Sequence, residues 1–417
     1  MMWNKNLRES NFSSNLITRS VPYHPDNDPR NLKVLLTTHP WFRFYKCYFD
    51  FTYQLCIAPF RFQQQDSGEF KLVTSTSQKL IGNNFEDFKL KILFYIRTTF
   101  IAGWDYVQLG TDQISYFDLM FLVLLYIFDI TTKSALWIHK NAFLEVFEEL
   151  QGSPLLRLKS KWTCRRANIL VYCICCTYLI PSVFYIALVL GVNPSDVQGL
   201  AEGIKTHTEA CFNLSPEWEK SQFFIIFEMA ATFITIYTSA FWHFSDVMVL
   251  VSTIFFHRLS SDFFEAIQRG DIADTDILPY YDSYKIINKK FNNAAGYVTC
   301  VFLTYPLSYY ATHLVDMLNN SDVMNRFSMC IYLGNLSLTL FLGARIHLKG
   351  KILERWLRKN TVVPMLQQQL SLILFELKNE GIGIKGFFTI TKEFGGEVVN
   401  LLLTLTIITI QFRMSTA

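Results

Sequence analysis

The chain has 417 residues, of which 51% are hydrophobic, 16% aromatic and 18% charged, and its net charge is +3. That balance is too apolar for a single soluble domain and too charged for a chain lying wholly in lipid. The first residues, Met-Met-Trp-Asn-Lys-Asn-Leu-Arg, lack a short apolar core, so no cleaved signal peptide is expected.

The first 88 residues read as a cytoplasmic segment. Within it, the apolar stretch 41–60 contains Arg43, Lys46 and Asp50 and reads as an amphipathic or re-entrant helix. A helix needs about 20 mainly apolar residues to cross a bilayer. Seven stretches qualify as spans: 89–104, 117–139, 168–191, 222–256, 293–318, 325–347 and 386–412. The fourth is long enough to project beyond the bilayer, and the last is apolar mainly from residue 398. The domain plan is therefore spans one to four over 89–256, a cytoplasmic helical loop over 257–292 and spans five and six over 293–347. Cytoplasmic amphipathic helices over 348–385 follow, then the last span with a short outer tail over 386–417.

Charge orients these spans. Lys plus Arg number 12 in 1–91, six in 140–167, five in 257–292 and seven in 348–385. The alternate loops hold none in 105–116, two in 192–221 and none in 319–324. The positive-inside rule places the N-terminus in the cytoplasm and, after seven crossings, the C-terminus outside. The glycosylation sequons at Asn213 and Asn319 fall in loops predicted to lie outside. A G-protein-coupled receptor has the same number of spans and the opposite orientation.

Enzyme chemistry finds little footing. No His-Glu-x-x-His, Walker-type loop or Gly-x-Ser-x-Gly is present, and no metal or other cofactor is expected. Cys173 and Cys176 have C-x-x-C spacing, but inside a membrane helix they read, with Cys175, as small apolar filler. Gly381-Ile-Gly-Ile-Lys-Gly386 follows no strand and reads as a loop before the last helix.

Polar residues gather in the outer halves of the spans. Glu228, Thr232 and Thr235 lie in the fourth, Tyr305, Tyr309, Tyr310, Thr312, His313 and Asp316 in the fifth, and Tyr178 and Tyr185 in the third. An aromatic cleft with a few polar groups suits a small molecule, and Glu228, Thr232, Tyr305, Tyr309, His313 and Asp316 are its candidate lining. An interfacial tyrosine belt and a Glu228–His313 pair across a bundle account for the same residues structurally. His243 and Asp246, deeper in the fourth span, read as packing residues of a buried polar network.

The last span carries the most telling pattern. At about 100° per residue, Glu393, Glu397, Asn400, Thr404 and Gln411 fall within roughly 60° of one another. Polar side chains are costly against lipid, so the stripe should face protein or water, as in a pore-lining helix.

The same C-terminus resembles the insect gustatory receptor family, whose signature is Thr-Tyr, five hydrophobic residues and Gln-Phe near the chain end. Thr404-Leu405, then Thr406-Ile-Ile-Thr-Ile410, then Gln411-Phe412 keep that spacing, with Leu405 in place of Tyr. Gly386-Phe-Phe-Thr-Ile-Thr-Lys-Glu-Phe394 is similar to the family's lead-in to its last helix. Cys56-Ile-Ala-Pro-Phe60 looks like its Gly-Leu-x-Pro-Phe segment. The resemblance implies an all-α, seven-span, plasma-membrane protein that forms homo- or heterotetramers in lipid. It implies a non-selective cation channel of chemosensory neurons, gated by a small-molecule tastant bound among the outer parts of the first six helices. It also places the last helix around the pore, with Gln411 and Phe412 at the gate. On that reading Ile408 joins Phe412 in an apolar ring, Thr404 and Asn400 lie below, and Glu393 and Glu397 supply inner negative charge. Thr406 stands where the sugar-sensing branch usually has Glu. The rival readings are an odorant-receptor-type channel, which shares the topology, and a secondary transporter, for which Gly395-Gly396 and Asp246 hint at a broken helix and a midplane charge.

Overall fold

The computed structural model describes residues 39–55, 60–65, 70–73, 140–189, 222–273, 275–319, 323–360, 381–384 and 388–416, with Ile373 and Leu377 between 360 and 381. The predicted spans 89–104 and 117–139 lie outside the described residues. Seven α-helices fall within them: α1 (Pro40–Gln54), α2 (Lys140–Gly152), α3 (Cys164–Val189), α4 (Gln222–Arg269), α5 (Ile277–Asn319), α6 (Val323–Asn360) and α7 (Lys392–Thr416). Two small antiparallel hairpins accompany them. One pairs β1 (Arg61–Gln64) with β2 (Phe70–Val73); the other pairs β3 (Gly383–Ile384) with β4 (Phe388–Thr389).

The helices α4, α5 and α6 are 48, 43 and 38 residues long. They run on where the predicted spans end. The expected amphipathic helices of 258–290 are the continuations of α4 and α5, joined by a short turn. That turn has a physical stop signal: Gly270 takes φ 74°, a left-handed conformation that a Cβ disfavours. The Gly270 amide donates to Ile267 O and the Asp271 amide to Ala266 O, closing the two bonds of a Schellman cap. By length and composition, two stretches of the described helices suffice to cross a membrane, Val247–Arg269 and Met329–Lys359. The first carries Arg258, Asp262 and Glu265 and is mostly buried among other helices, as the core helix of a bundle is.

The core begins with aromatics. In α1, Trp41, Phe42, Phe44, Tyr45, Tyr48 and Phe49 are all buried. They meet Phe62, Phe147 and Phe255; Phe62 and Phe147 lie 4.4 Å apart by ring centroid, and Tyr45 and Phe255 4.8 Å. Edge-to-face and tilted contacts dominate, which suits the ring quadrupoles. Tyr hydroxyls inside this core find partners: Tyr48 donates to Phe244 O at 2.6 Å, and Tyr45 pairs with Ser252 at 3.1 Å. Thus α1 packs on α3 and α4, while Arg43 stays exposed. Of the three clustered cysteines in α3, only Cys175 is packed; Cys173 and Cys176 point outward rather than filling the core.

A loop over 158–163 ties these parts together. Trp162 meets Phe44 edge-on at 5.7 Å and lies under the Arg258 guanidinium. Lys161 pairs with Glu265 of α4, and Glu265 also receives Lys349 of α6 at 2.9 Å. His39 is held against Leu158 O through Nε2 at 3.3 Å, and burial pushes its imidazole down to about 4, with that hydrogen bond pulling the other way.

The candidate pore helix and its seat

The last helix starts where Thr391 caps it. The Phe394 amide donates to Thr391 Oγ1 at 3.0 Å, satisfying one of the first-turn donors. Glu393 sits in the first turn, where the helix dipole favours an anion. From there α7 runs unbroken to Thr416 through Gly395 and Gly396. The broken helix that a transporter reading calls for is therefore not found at this pair.

Packing is one-sided. Val398 and Thr406 are buried, and Phe394, Leu402 and Leu405 half-buried, against α5 and α6. Thr406 spends its hydroxyl on Leu402 O at 2.8 Å, so it leaves no unpaired polar atom on that face. Glu393, Glu397, Asn400, Thr404, Ile408 and Gln411 are all exposed in the single chain. At about 100° per residue the centre of the polar stripe lies roughly 140° from the centre of the packed face. Exposed apolar residues flank it: Val399, Leu401, Leu403, Ile407 and Ile410. Phe412 lies on α7, with its side chain outside the described residues.

Below this helix sits a tight seat. The β3–β4 hairpin lies against α5, and the Ile390 amide donates to Ile382 O at 2.8 Å to close it. Where a plain loop was expected at 381–386, a strand therefore starts. Asn292 of α5 reads both edges of the hairpin's first turn. Its Nδ2 donates to Gly381 O at 2.9 Å and its Oδ1 accepts from the Gly383 amide at 3.0 Å. One turn along α5, Gly296 lets the backbone come close: a Cβ there would lie 2.6 Å from Gly383 O. On α6, a Cβ at Gly343 would lie 2.7 Å from the buried Ile390 side chain. Two missing Cβ atoms and one amide thus dock the hairpin, and with it the start of α7.

The candidate lining of the ligand cleft falls on the same long helices. Glu228 and Thr232, with Thr235, His243 and Asp246, lie on α4; Tyr305, Tyr309, His313 and Asp316, with Tyr310 and Thr312, lie on α5. Their side chains lie outside the described residues. Tyr178 is described and donates to Asn335 Oδ1 of α6, linking α3 to α6 in the interior. Asn335 Nδ2 and Thr339 Oγ1, one turn apart, are buried beside it without a protein partner. Among the described residues no group of three or more His, Cys, Asp or Glu is placed to hold a metal ion.

Sequence reasoning did not single out Asn292, Gly296, Gly343 or Glu265. The only local signal was an Asn and a Gly, four residues apart, at the edge of an apolar stretch.

No family model matches the chain, and no curated protein matches it in sequence. Solved structures do match. The structure of the insect olfactory receptor OR5 from Machilis hrabei in complex with eugenol is similar over 92% of this chain and 97% of that one, with a TM-score of 0.51 and 16% identity. A second structure of that receptor covers the same shares at 12% identity and a TM-score of 0.46. At such identity the likeness is one of fold: the chain has a helical architecture resembling that of an insect olfactory receptor.

Proposed function

We propose that the chain is a subunit of a taste receptor of the plasma membrane of chemosensory neurons, a tastant-gated, non-selective cation channel in which four related subunits surround one pore. The observation that carries this reading is the two-sidedness of α7. One face packs on α5 and α6, and the opposite face offers Glu393, Glu397, Asn400, Thr404 and Gln411 to whatever lies beyond the subunit. Facing lipid, such a stripe is costly; facing a shared water-filled axis, it is satisfied. The fold likeness to a receptor solved with a small molecule, eugenol, supports the same class.

Gating follows from the residue order along the stripe. Four copies of Ile408 and Phe412 form an apolar ring that empties of water when narrow. Turning or spreading α7 replaces that ring with the amides of Gln411, which hydrate an ion. Glu393 and Glu397 at the inner end concentrate cations. The tastant enters from outside, between the outer parts of α4 and α5 where Glu228, Thr232, Tyr305, Tyr309, His313 and Asp316 lie. It opens the gate only by its preference for the open state. The N-terminus is cytoplasmic. An odorant-receptor-type channel is the second reading, favoured by the fold likeness; the Gln411-Phe412 ending favours taste.

Cysteine substitution along α7 tests the assignment. Asn400→Cys and Thr404→Cys should be blocked by a water-soluble thiol reagent during tastant-evoked current, and Leu402→Cys should be spared. Equal modification of all three, or of Leu402→Cys alone, refutes the pore face.

A further inference from the structure

We propose that Ser160 is a phosphorylation site for an ATP-dependent protein kinase that selects basic flanks, and that the phosphate releases the 158–163 loop from α4. The inference rests on the cytoplasmic placement of the 140–167 loop in the proposed topology.

Two independent features meet at this serine. The first is substrate-like sequence in an accessible place. Ser160 is half-exposed in an irregular segment between a short 3-10 turn (Pro154–Arg157) and α3. Arg157 precedes it by three residues, Lys159 by one, and Lys161 follows; all three are exposed. Cations on both sides of a serine in an irregular segment suit an acidic kinase groove.

The second is what the hydroxyl touches. Ser160 Oγ accepts the Trp162 amide at 3.2 Å and lies beside the buried carboxylate of Asp262. Asp262 also takes Arg258 at 2.7 Å, and Arg258 lies over the Trp162 ring at 5.7 Å from its centroid. One turn on, Glu265 holds both Lys161 and Lys349. The loop is therefore fastened to α4 by the Lys161–Glu265 ion pair and by the Arg258–Trp162 contact.

Phosphorylation transfers the γ-phosphoryl group of ATP to Ser160 Oγ. The new O–P bond forms as the bond to the β-phosphate oxygen breaks; ADP leaves, and the kinase takes up the hydroxyl proton. The product carries a charge of about −1.5 to −2 and has only acceptor oxygens to offer its neighbours. A neutral hydroxyl thus becomes an anion beside Asp262 and Glu265. Lys161 is drawn to the phosphate beside it, Glu265 keeps Lys349, and the link between the start of α3 and α4 opens.

The test uses the full chain in lipid nanodiscs with a calcium- and phospholipid-dependent kinase and ATP. Mass spectrometry should find phosphate on Ser160, with none at that position in Ser160→Ala and several-fold slower incorporation in Arg157→Gln. Phosphate found only elsewhere overturns the site. Hydrogen exchange at the amides of 160–166 should rise on phosphorylation of the wild-type chain, and kinase with ATP should leave the exchange of Ser160→Ala as it was before treatment. Unchanged exchange in the phosphorylated chain overturns the release. Neither readout needs current, so a phosphorylated, loosened chain that conducts nothing would sink the channel reading and leave this one standing. An impermeant thiol label that reaches Ser160→Cys from outside the cell would overturn this one.

Discussion

Gly296→Ala is the sharpest probe of how α7 is held. The added Cβ would lie 2.6 Å from Gly383 O and 3.3 Å from Gly383 C, atoms of another backbone rather than the tip of a flexible side chain. Real Cβ atoms do not approach closer than 3.0 Å, so the hairpin must retreat by at least 3.0 − 2.6 = 0.4 Å. Overpacking of this kind costs about 1–3 kcal/mol. A retreat also strains the two Asn292 bonds, which are already near ideal length at 2.9 and 3.0 Å. Helix propensity acts in the opposite direction, because replacing a helical glycine with alanine gains about 1 kcal/mol. Gly334→Ala in α6 isolates that gain, since nothing lies within 4 Å of its added Cβ. The difference between the two variants then reports the clash alone. In thermal unfolding of detergent-solubilised protein, Gly334→Ala should match or exceed wild type and Gly296→Ala should melt several degrees below Gly334→Ala. Equal melting of the two variants would refute the seat, and with it the idea that α5 holds the base of α7 through the hairpin.

Three further outcomes are expected. Gln411→Ala should change the amplitude or basal opening of whole-cell current with surface expression preserved; currents identical to wild type would remove Gln411 from the gate. Asn292→Ala should cost about 1–3 kcal/mol, because it leaves Gly381 O and the Gly383 amide without their partner; adding Gly296→Ala should then cost less than it does alone, as a double-mutant cycle measures. His39 has a folded pKa depressed to about 4, so the unfolded chain binds the extra proton first as pH falls below about 6.5; stability is full above that pH and is lost toward pH 4, by about 3 kcal/mol at most. Melting at pH 7.5 and 5 should show this loss in wild type and a smaller one in His39→Gln.

The long helices were legible in the sequence because their apolar runs are unmistakable, but their ends were not. Arg258, Asp262 and Glu265 look like part of a separate cytoplasmic helical segment after residue 256. In three dimensions Arg258 neutralises Asp262, and Lys161 and Lys349 neutralise Glu265, so the helix continues into the fold with its charges paired. A window of hydropathy cannot register Lys161 and Lys349, which lie far off in sequence. The stripe on α7 was readable because it repeats locally on one helix, and the packed face proves to be on the other side. Asn292 was unreadable for the converse reason: its partner Gly381 lies 89 residues away, and neither residue is unusual where it stands. The α1 stretch was legible as a helix; that its aromatic residues would meet Phe147 and Phe255 was not, because no period within 41–60 specifies those partners.

The uninterrupted helices have a mechanical consequence. At about 1.5 Å per residue, the 48 residues of α4 extend for about 72 Å, more than twice the ~30 Å hydrocarbon thickness of a bilayer. A strut without a joint transmits tilt as a lever does. A small angular displacement at one end arrives at the other as a lateral stroke proportional to arm length, with little lost to bending in between. About 3° over 72 Å is a stroke of roughly 4 Å, comparable to a side chain's width. On such a frame the energy of a weak stimulus need not be stored or relayed through a chain of switching contacts. It has only to tilt a rod.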